Sequence, residues 1–262
     1  MLSGLPQELL ELILAYLDVK SLHACALVSS ALIAPSQRSI FRSLAIRIPD
    51  GDIPKAQALF SSAPHVMGYV HELKVELEDE EALSSQNGLL ASILPSFQRL
   101  ESLSIKGRSG PIQWNDMTLP LQSAIEELMT SSGNIRSLDL EEILDIPPSF
   151  IVLVLSSLRR LGLRSITVQP SESRISNRPT TLRTERITLQ APHSGLEPIV
   201  DLILQDIPTP GYLDSIKSLA LGMRQDIKAQ SLRLIGATAG SLQQLELRCG
   251  GLFPSFLGSS IP

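Results

Sequence analysis

One short phrase of apolar and polar positions recurs along most of the chain. It reads apolar, two intervening residues, apolar, one residue, apolar. Copies stand at Phe41-x-x-Leu44-x-Ile46, Val70-x-x-Leu73-x-Val75, Leu100-x-x-Leu103-x-Ile105, Ile135-x-x-Leu138-x-Leu140 and Leu158-x-x-Leu161-x-Leu163. Ile216-x-x-Leu219-x-Leu221 and Leu242-x-x-Leu245-x-Leu247 follow, and Thr184-x-x-Ile187-x-Leu189 is a weaker copy before them. Successive copies are 29, 30, 35, 23, 26, 32 and 26 residues apart. The apolar positions that close each copy alternate with polar ones, as in a short strand with one face in and one face out. Helical spacing fills several intervals, over residues 54–61, 119–131, 148–158, 196–204 and 225–239.

Strand, turn and helix repeated every 23–35 residues describe a leucine-rich-repeat solenoid, in which each unit buries its strand and helix against its neighbours. A doubly wound α/β domain also alternates strand and helix, but its strands read as near-continuous Val/Ile runs. Here a polar residue separates the apolar pair in five of the eight copies, and Ala or Gly does so in the other three. The commonest leucine-rich pattern places an Asn after the strand; this chain has Glu78, Arg108, Ile143, Ile166, Pro192, Arg224 and Gly250 at those places. With no Asn ladder and unequal units, the array is expected to be irregular, with a curved parallel sheet, over residues 49–262. It runs straight into Gly258-Ser259-Ser260-Ile261-Pro262 and is expected to be incomplete at that end, as in a fragment or a short form.

The first forty-odd residues are written differently. Leu9, Leu10, Ile13, Leu14 and Leu17 recur at the spacing of one helix face, with Pro6 at the expected first helical position. Ser21 is expected to cap a second helix carrying Leu22, Cys25 and Val28, and Pro35 to open a third that ends near Phe41. Three such helices are too small to bury their own apolar surface, which is the build of a docking module.

The phrase Leu5-Pro6-x-Glu8-Leu9, followed by Ile13, Leu17 and Ser21-Leu22-x-x-Cys25-x-Leu27-Val28-Ser29, resembles the F-box. The resemblance covers roughly residues 3 to 45. Many F-boxes carry a Trp three or four residues after the Val-Ser pair, where this chain has Ser30-Ala31-Leu32, so the third-helix anchor is expected to be rearranged. The resemblance implies an α/β protein made of a three-helix F-box, residues 1–48, followed by the solenoid. It also implies that the F-box docks on the Skp-type adaptor of a cullin–RING ubiquitin ligase while the repeats hold a protein substrate. The positions matching the docking motif are Leu5, Pro6, Leu9, Ile13, Leu17, Leu22, Cys25 and Val28. A rival reading makes the helices a cap for the solenoid, with the stripe buried against residues 41–48 and no adaptor bound.

Composition narrows the classes. A net charge of −5 over 262 residues argues against a nucleic-acid partner. The longest strictly apolar run, residues 150–155, is far short of a membrane span, and a basic leader before an apolar core is absent. A cytoplasmic or nuclear protein without a membrane partner is expected. Cys25 and Cys249 lie too far apart for ligand-like spacing, and His23, His65, His71 and His193 are scattered. No nucleophile elbow, phosphate loop or zinc-protease motif occurs, so neither an enzyme nor a cofactor is expected. A hydrolase would need a Ser–His–acid set for which there is no motif.

Two charged stretches stand out. Glu76, Glu78, Asp79, Glu80 and Glu81 read as a solvated loop. Arginines cluster at Arg159, Arg160, Arg164, Arg174, Arg178, Arg183 and Arg186, partly within a polar insertion over 171–179. In the solenoid register, Arg160, Arg164 and Arg186 share the open strand face and form a candidate substrate-binding patch, because guanidinium groups suit capture of carboxylate or phosphate.

Overall fold

A computed structural model describes residues 5–48, 52–78, 80–131, 133–170, 181–190, 196–204, 211–223 and 228–249. The chain divides into two compact units, 1–138 and 139–262. The expected insertion over 171–179, Pro192, His193, Arg224, Gly250 and the C-terminal stretch lie outside the described residues.

The first unit opens with three helices, α1 (Gln7–Leu14), α2 (Val19–Val28) and α3 (Ser30–Phe41). Strands β1 (Ser43–Ile48), β2 (Glu72–Leu77) and β3 (Ser102–Gly107) follow, with α4 (Asp52–Ser62) and α5 (Glu80–Ile93) between them. The short strand β4 (Ile112–Gln113) and α6 (Leu119–Ser131) come next, and β5 (Ser137–Glu141) crosses the division. The second unit contains β6 (Ile143–Leu144), α7 (Pro148–Ser157), β7 (Arg160–Arg164), β8 (Arg186–Gln190), α8 (Leu196–Leu204), β9 (Ser218–Met223), α9 (Lys228–Thr238) and β10 (Gln244–Cys249).

Within each unit the strands are parallel and paired at the repeat phrase itself. Leu44 lies opposite Leu73, Leu73 opposite Leu103, Ile46 opposite Val75 and Val75 opposite Ile105. In the second unit Leu161, Ile187, Leu219 and Leu245 form one row, and Leu163, Leu189, Leu221 and Leu247 the next. Most of these side chains are buried, because a parallel pair in this register stacks apolar residues on one face. β10 differs: its Leu245 and Leu247 are exposed.

Helices expected over 119–131 and 196–204 have those bounds, and those over 54–61 and 148–158 agree to within two residues. α9 lies inside the expected 225–239, of which residues 225–227 are outside the described set. The acidic run is not a loop throughout. Glu76 is on β2 and pairs with Arg47 at 3.1 Å, Glu78 pairs with Arg108 at 3.3 Å, and Glu80 and Glu81 open α5. Acidic residues suit the first turn of a helix, where the peptide dipoles favour negative charge. Ser84, Ser85, Asn87 and Gly88 mask its helical period in the sequence.

The weak repeat copy also has a physical explanation. Thr184 is fully buried, and its hydroxyl contacts the Leu155 and Leu158 carbonyls at 2.8 and 3.0 Å, at the end of α7. Helix-end carbonyls lack partners within their helix, so a hydroxyl replaces an apolar group here. Ile143 and Ile166, at places where an Asn would stand in a regular repeat, are buried instead. Each follows a residue in the left-handed region, Glu142 (φ 59°) and Ser165 (φ 51°), where the chain turns out of its strand.

Candidate functional site

The N-terminal helices concentrate the large exposed apolar side chains of the described residues. Pro6 stands immediately before α1, not within it, and its carbonyl accepts from Leu9 and Leu10 N–H at 3.1 and 3.2 Å. α2 is capped by Asp18, whose carboxylate accepts the Ser21 N–H at 2.8 Å; Ser21 is the donor of this cap, not the capping side chain. That hydrogen bond holds the Asp18 carboxyl below its ordinary pKa. α3 begins at Ser30, so Pro35 lies inside the helix and does not open it. Its missing N–H falls on a buried side, where Leu32 and Ser36 are its buried companions.

The helices hold together through a small interior. Leu10 and Leu14 of α1, Leu22 of α2 and Leu32 of α3 are buried where α3 packs against both partners. Polar contacts add to this packing. Arg38 of α3 pairs with Glu11 and lies 5.9 Å from the centre of the Tyr69 ring, and Gln37 meets His65 at 3.4 Å. α3 is thereby seated on the 3-10 turn Pro64–Tyr69.

Leu5, Leu9, Leu12, Ile13 and Tyr16 are exposed along α1 and the turn after it, and Val19, Leu27 and Val28 along α2, with Ile33 on α3. Tyr16 and Leu27 are each 89% exposed and Val28 is 80%. Of the residues assigned to docking from the sequence, Leu5, Pro6, Leu9, Ile13 and Val28 are exposed, and Leu17 and Cys25 are half-buried. Leu22 is 4% exposed and belongs to the helices' own interior. Leu12, Tyr16, Val19, Leu27 and Ile33 were not in that set. Leu12 and Tyr16 continue the Leu5, Leu9 row at steps of three and four, so the helical period carried the signal for them. The stripe is not buried against residues 41–48, as a mere cap would require.

Among the described residues no three His, Cys, Asp or Glu come together as a metal site. His71 pairs with Glu101 at 3.2 Å, and the Cys25 thiol is free. A cavity of about 570 Å³ in the second unit is lined by Pro148, Val168, Pro198, Asp201 and Arg233 among others, and its Arg233 and Asp201 close on each other at 2.7 Å.

The candidate arginines all lie on strands of the second unit. Arg160 and Arg186 are register partners on β7 and β8 and are exposed. Arg164 is held by Asp139 and Glu141, each at 3.5 Å. Gly162 makes that possible: a Cβ there would stand 1.9 Å from the Asp139 carboxylate.

Compared with known families, residues 2–32 match the F-box domain. The match takes in α1, α2 and the first three residues of α3. F-box domains bind Skp-type adaptors of cullin–RING ligases. No curated protein matches the chain.

Proposed function

We propose that the protein is the substrate-recognition subunit of an SCF-type cullin–RING ubiquitin ligase. Residues 1–48 act as the F-box and dock on the Skp-type adaptor, and residues 49–262, read as irregular leucine-rich repeats, hold the protein substrate. The observation that carries this reading is the open apolar stripe of α1 and α2 within the stretch that matches the F-box domain. Burying such a patch against a partner contributes about 25 cal/mol per Å² of apolar surface, whereas a monomer gains nothing by displaying it. The protein itself makes and breaks no bond. It raises the local concentration of substrate beside the ubiquitin-charged enzyme of the complex. This reading implies work in the cytoplasm, the nucleus or both.

Co-purification of the full chain with a Skp-type adaptor tests it, beside a Leu9→Asp/Val28→Asp variant. Both side chains are exposed, so the variant should keep the wild-type circular-dichroism spectrum and melting temperature while losing at least about 100-fold in adaptor retention, the effect of charges buried at an interface core. A folded wild-type chain that retains no adaptor sinks the proposal.

A further inference from the structure

The open faces of the strands differ between the units in how charge is balanced. On β1–β3 charges alternate in sign across neighbouring strands: Arg47 lies opposite Glu76, and Glu76 opposite Lys106. On β7 and β8, Arg160 lies directly opposite Arg186, at the roughly 4.8 Å spacing of paired strands. Like charges in that position disfavour the fold. Among the described residues neither guanidinium has a carboxylate partner.

The surroundings add donors. The row continues through Ser218 and Gln244. At the adjoining strand entrances, Arg159 and Lys217 are exposed, and the Glu185 carboxylate is 3.9 Å from Arg159. Two residues further along β7, β8 and β9 the side chains become small, at Gly162, Thr188 and Ala220, while β10 carries Glu246 opposite Ala220. Beyond them the cations are already neutralised, Arg164 by Asp139 and Glu141, and Arg248 by Glu246 at 2.8 Å. Arg160 and Arg186 are thus a pair of adjacent cations on this strand face without a carboxylate partner among the described residues. The Asp139 carboxylate stands over Gly162, two residues along β7 from Arg160.

We infer that Arg160 and Arg186 form a clamp for a dianionic group, a phosphorylated side chain on a segment of the bound protein. A carboxylate carries one charge and would leave one arginine unbalanced. A phosphate monoester carries nearly two charges and three acceptor oxygens, which two adjacent guanidinium groups can share. Arg164 takes no direct part. The inference relies on the receptor reading only for calling the captured protein a substrate.

The test uses the full chain without adaptor and degenerate peptide pools centred on phosphoserine, serine or glutamate. Wild type should retain the phosphoserine pool about tenfold or more over the other two, with inorganic phosphate competing, as expected for loss of a charge-assisted pair. Arg160→Gln and Arg186→Gln should each remove that preference, and Arg164→Gln should change it less than about twofold. Equal retention of the three pools overturns the inference, as does an Arg164→Gln loss equal to that of Arg160→Gln. Capture of phosphatidylserine vesicles in place of the phosphoserine pool also overturns it, assigning the patch to a membrane surface. Adaptor co-purification should be unchanged in all three variants. A wild-type chain that discriminates the pools yet binds no adaptor keeps the clamp and rejects the receptor reading.

Discussion

Leucine and isoleucine occupy two kinds of position in this molecule. In the strand array they alternate with polar residues and point inward: Leu73 and Leu103 stack in register and are almost wholly buried. In the N-terminal helices they follow a helical period, and that period serves two surfaces at once. Leu10, Leu14 and Leu22 face the interior of the bundle, while Leu9, Leu12, Ile13 and Leu27 face solvent. A strand between neighbours has one apolar face and one polar face, so its apolar residues have a single destination. A short helix can carry apolar residues around most of its circumference, one side for its own bundle and the other for a partner. The same residue types therefore record internal cohesion in one region and unmet surface in the other.

The largest expected effect sets one leucine of each region against the other. Leu103→Ala, at a fully buried position, should cost about 2–5 kcal/mol, the transfer and cavity terms together. Leu27→Ala, at a position 89% exposed, should change stability by no more than about 0.5 kcal/mol while reducing adaptor retention. Urea denaturation with matched adaptor pull-downs reads both. A Leu27→Ala loss comparable to that of Leu103→Ala would place Leu27 in a core and erase the distinction between the regions.

How far this division was legible in the sequence follows from the same geometry. The repeat phrase located β1, β2, β3, β5 and β7–β10, and its apolar columns are the observed register columns, because a parallel pairing slipped by one residue would turn Leu73 or Leu161 outward. α5 was missed because Ser84, Ser85, Asn87 and Gly88 have poor helix propensity, and because its opening acids read equally well as a loop. Within the docking set, the helical period put Leu22 on an apolar face but could not say whether that face met its own bundle or a partner; the packing of α2 on α3 decides it. Arg164 was indistinguishable from Arg160 by position, since only side-chain contacts show that Asp139 and Glu141 already hold it.

A smaller effect probes the polar exceptions within the buried array. Thr184→Val keeps the shape of the side chain but removes the hydroxyl from the Leu155 and Leu158 carbonyls. The Leu155 carbonyl still accepts the Arg183 and Thr184 N–H groups, so the loss falls on the Leu158 carbonyl. The substitution should cost about 1–2 kcal/mol, the range for a buried hydrogen bond whose acceptor is left unmet. Thr184→Ser should recover more than half of that loss in the urea midpoint. If the valine variant is instead as stable as wild type, an apolar residue suits this position as it does in the other copies, and the weak copy has no hydrogen-bonding cause.

The smallest effect belongs to the helical region, where local capping supplements a small interior. Asp18 is exposed, and the Ser21 N–H holds its carboxyl below the usual range. A carboxyl whose pKa is lower folded than unfolded adds stability that is complete above the unfolded value, near 3.8, and is lost as pH falls through the folded value. Asp18→Ala should therefore lower the melting temperature slightly at neutral pH, with the gap to wild type closing as the solution is acidified below that range. Asp18→Asn keeps an acceptor for the Ser21 N–H, so it should lie between the two at neutral pH and show no such closing. A gap for Asp18→Ala that is constant across the acid range would mean that the charged carboxylate caps α2 no better than the protonated one, so that accepting the Ser21 N–H, and not the negative charge, makes the cap.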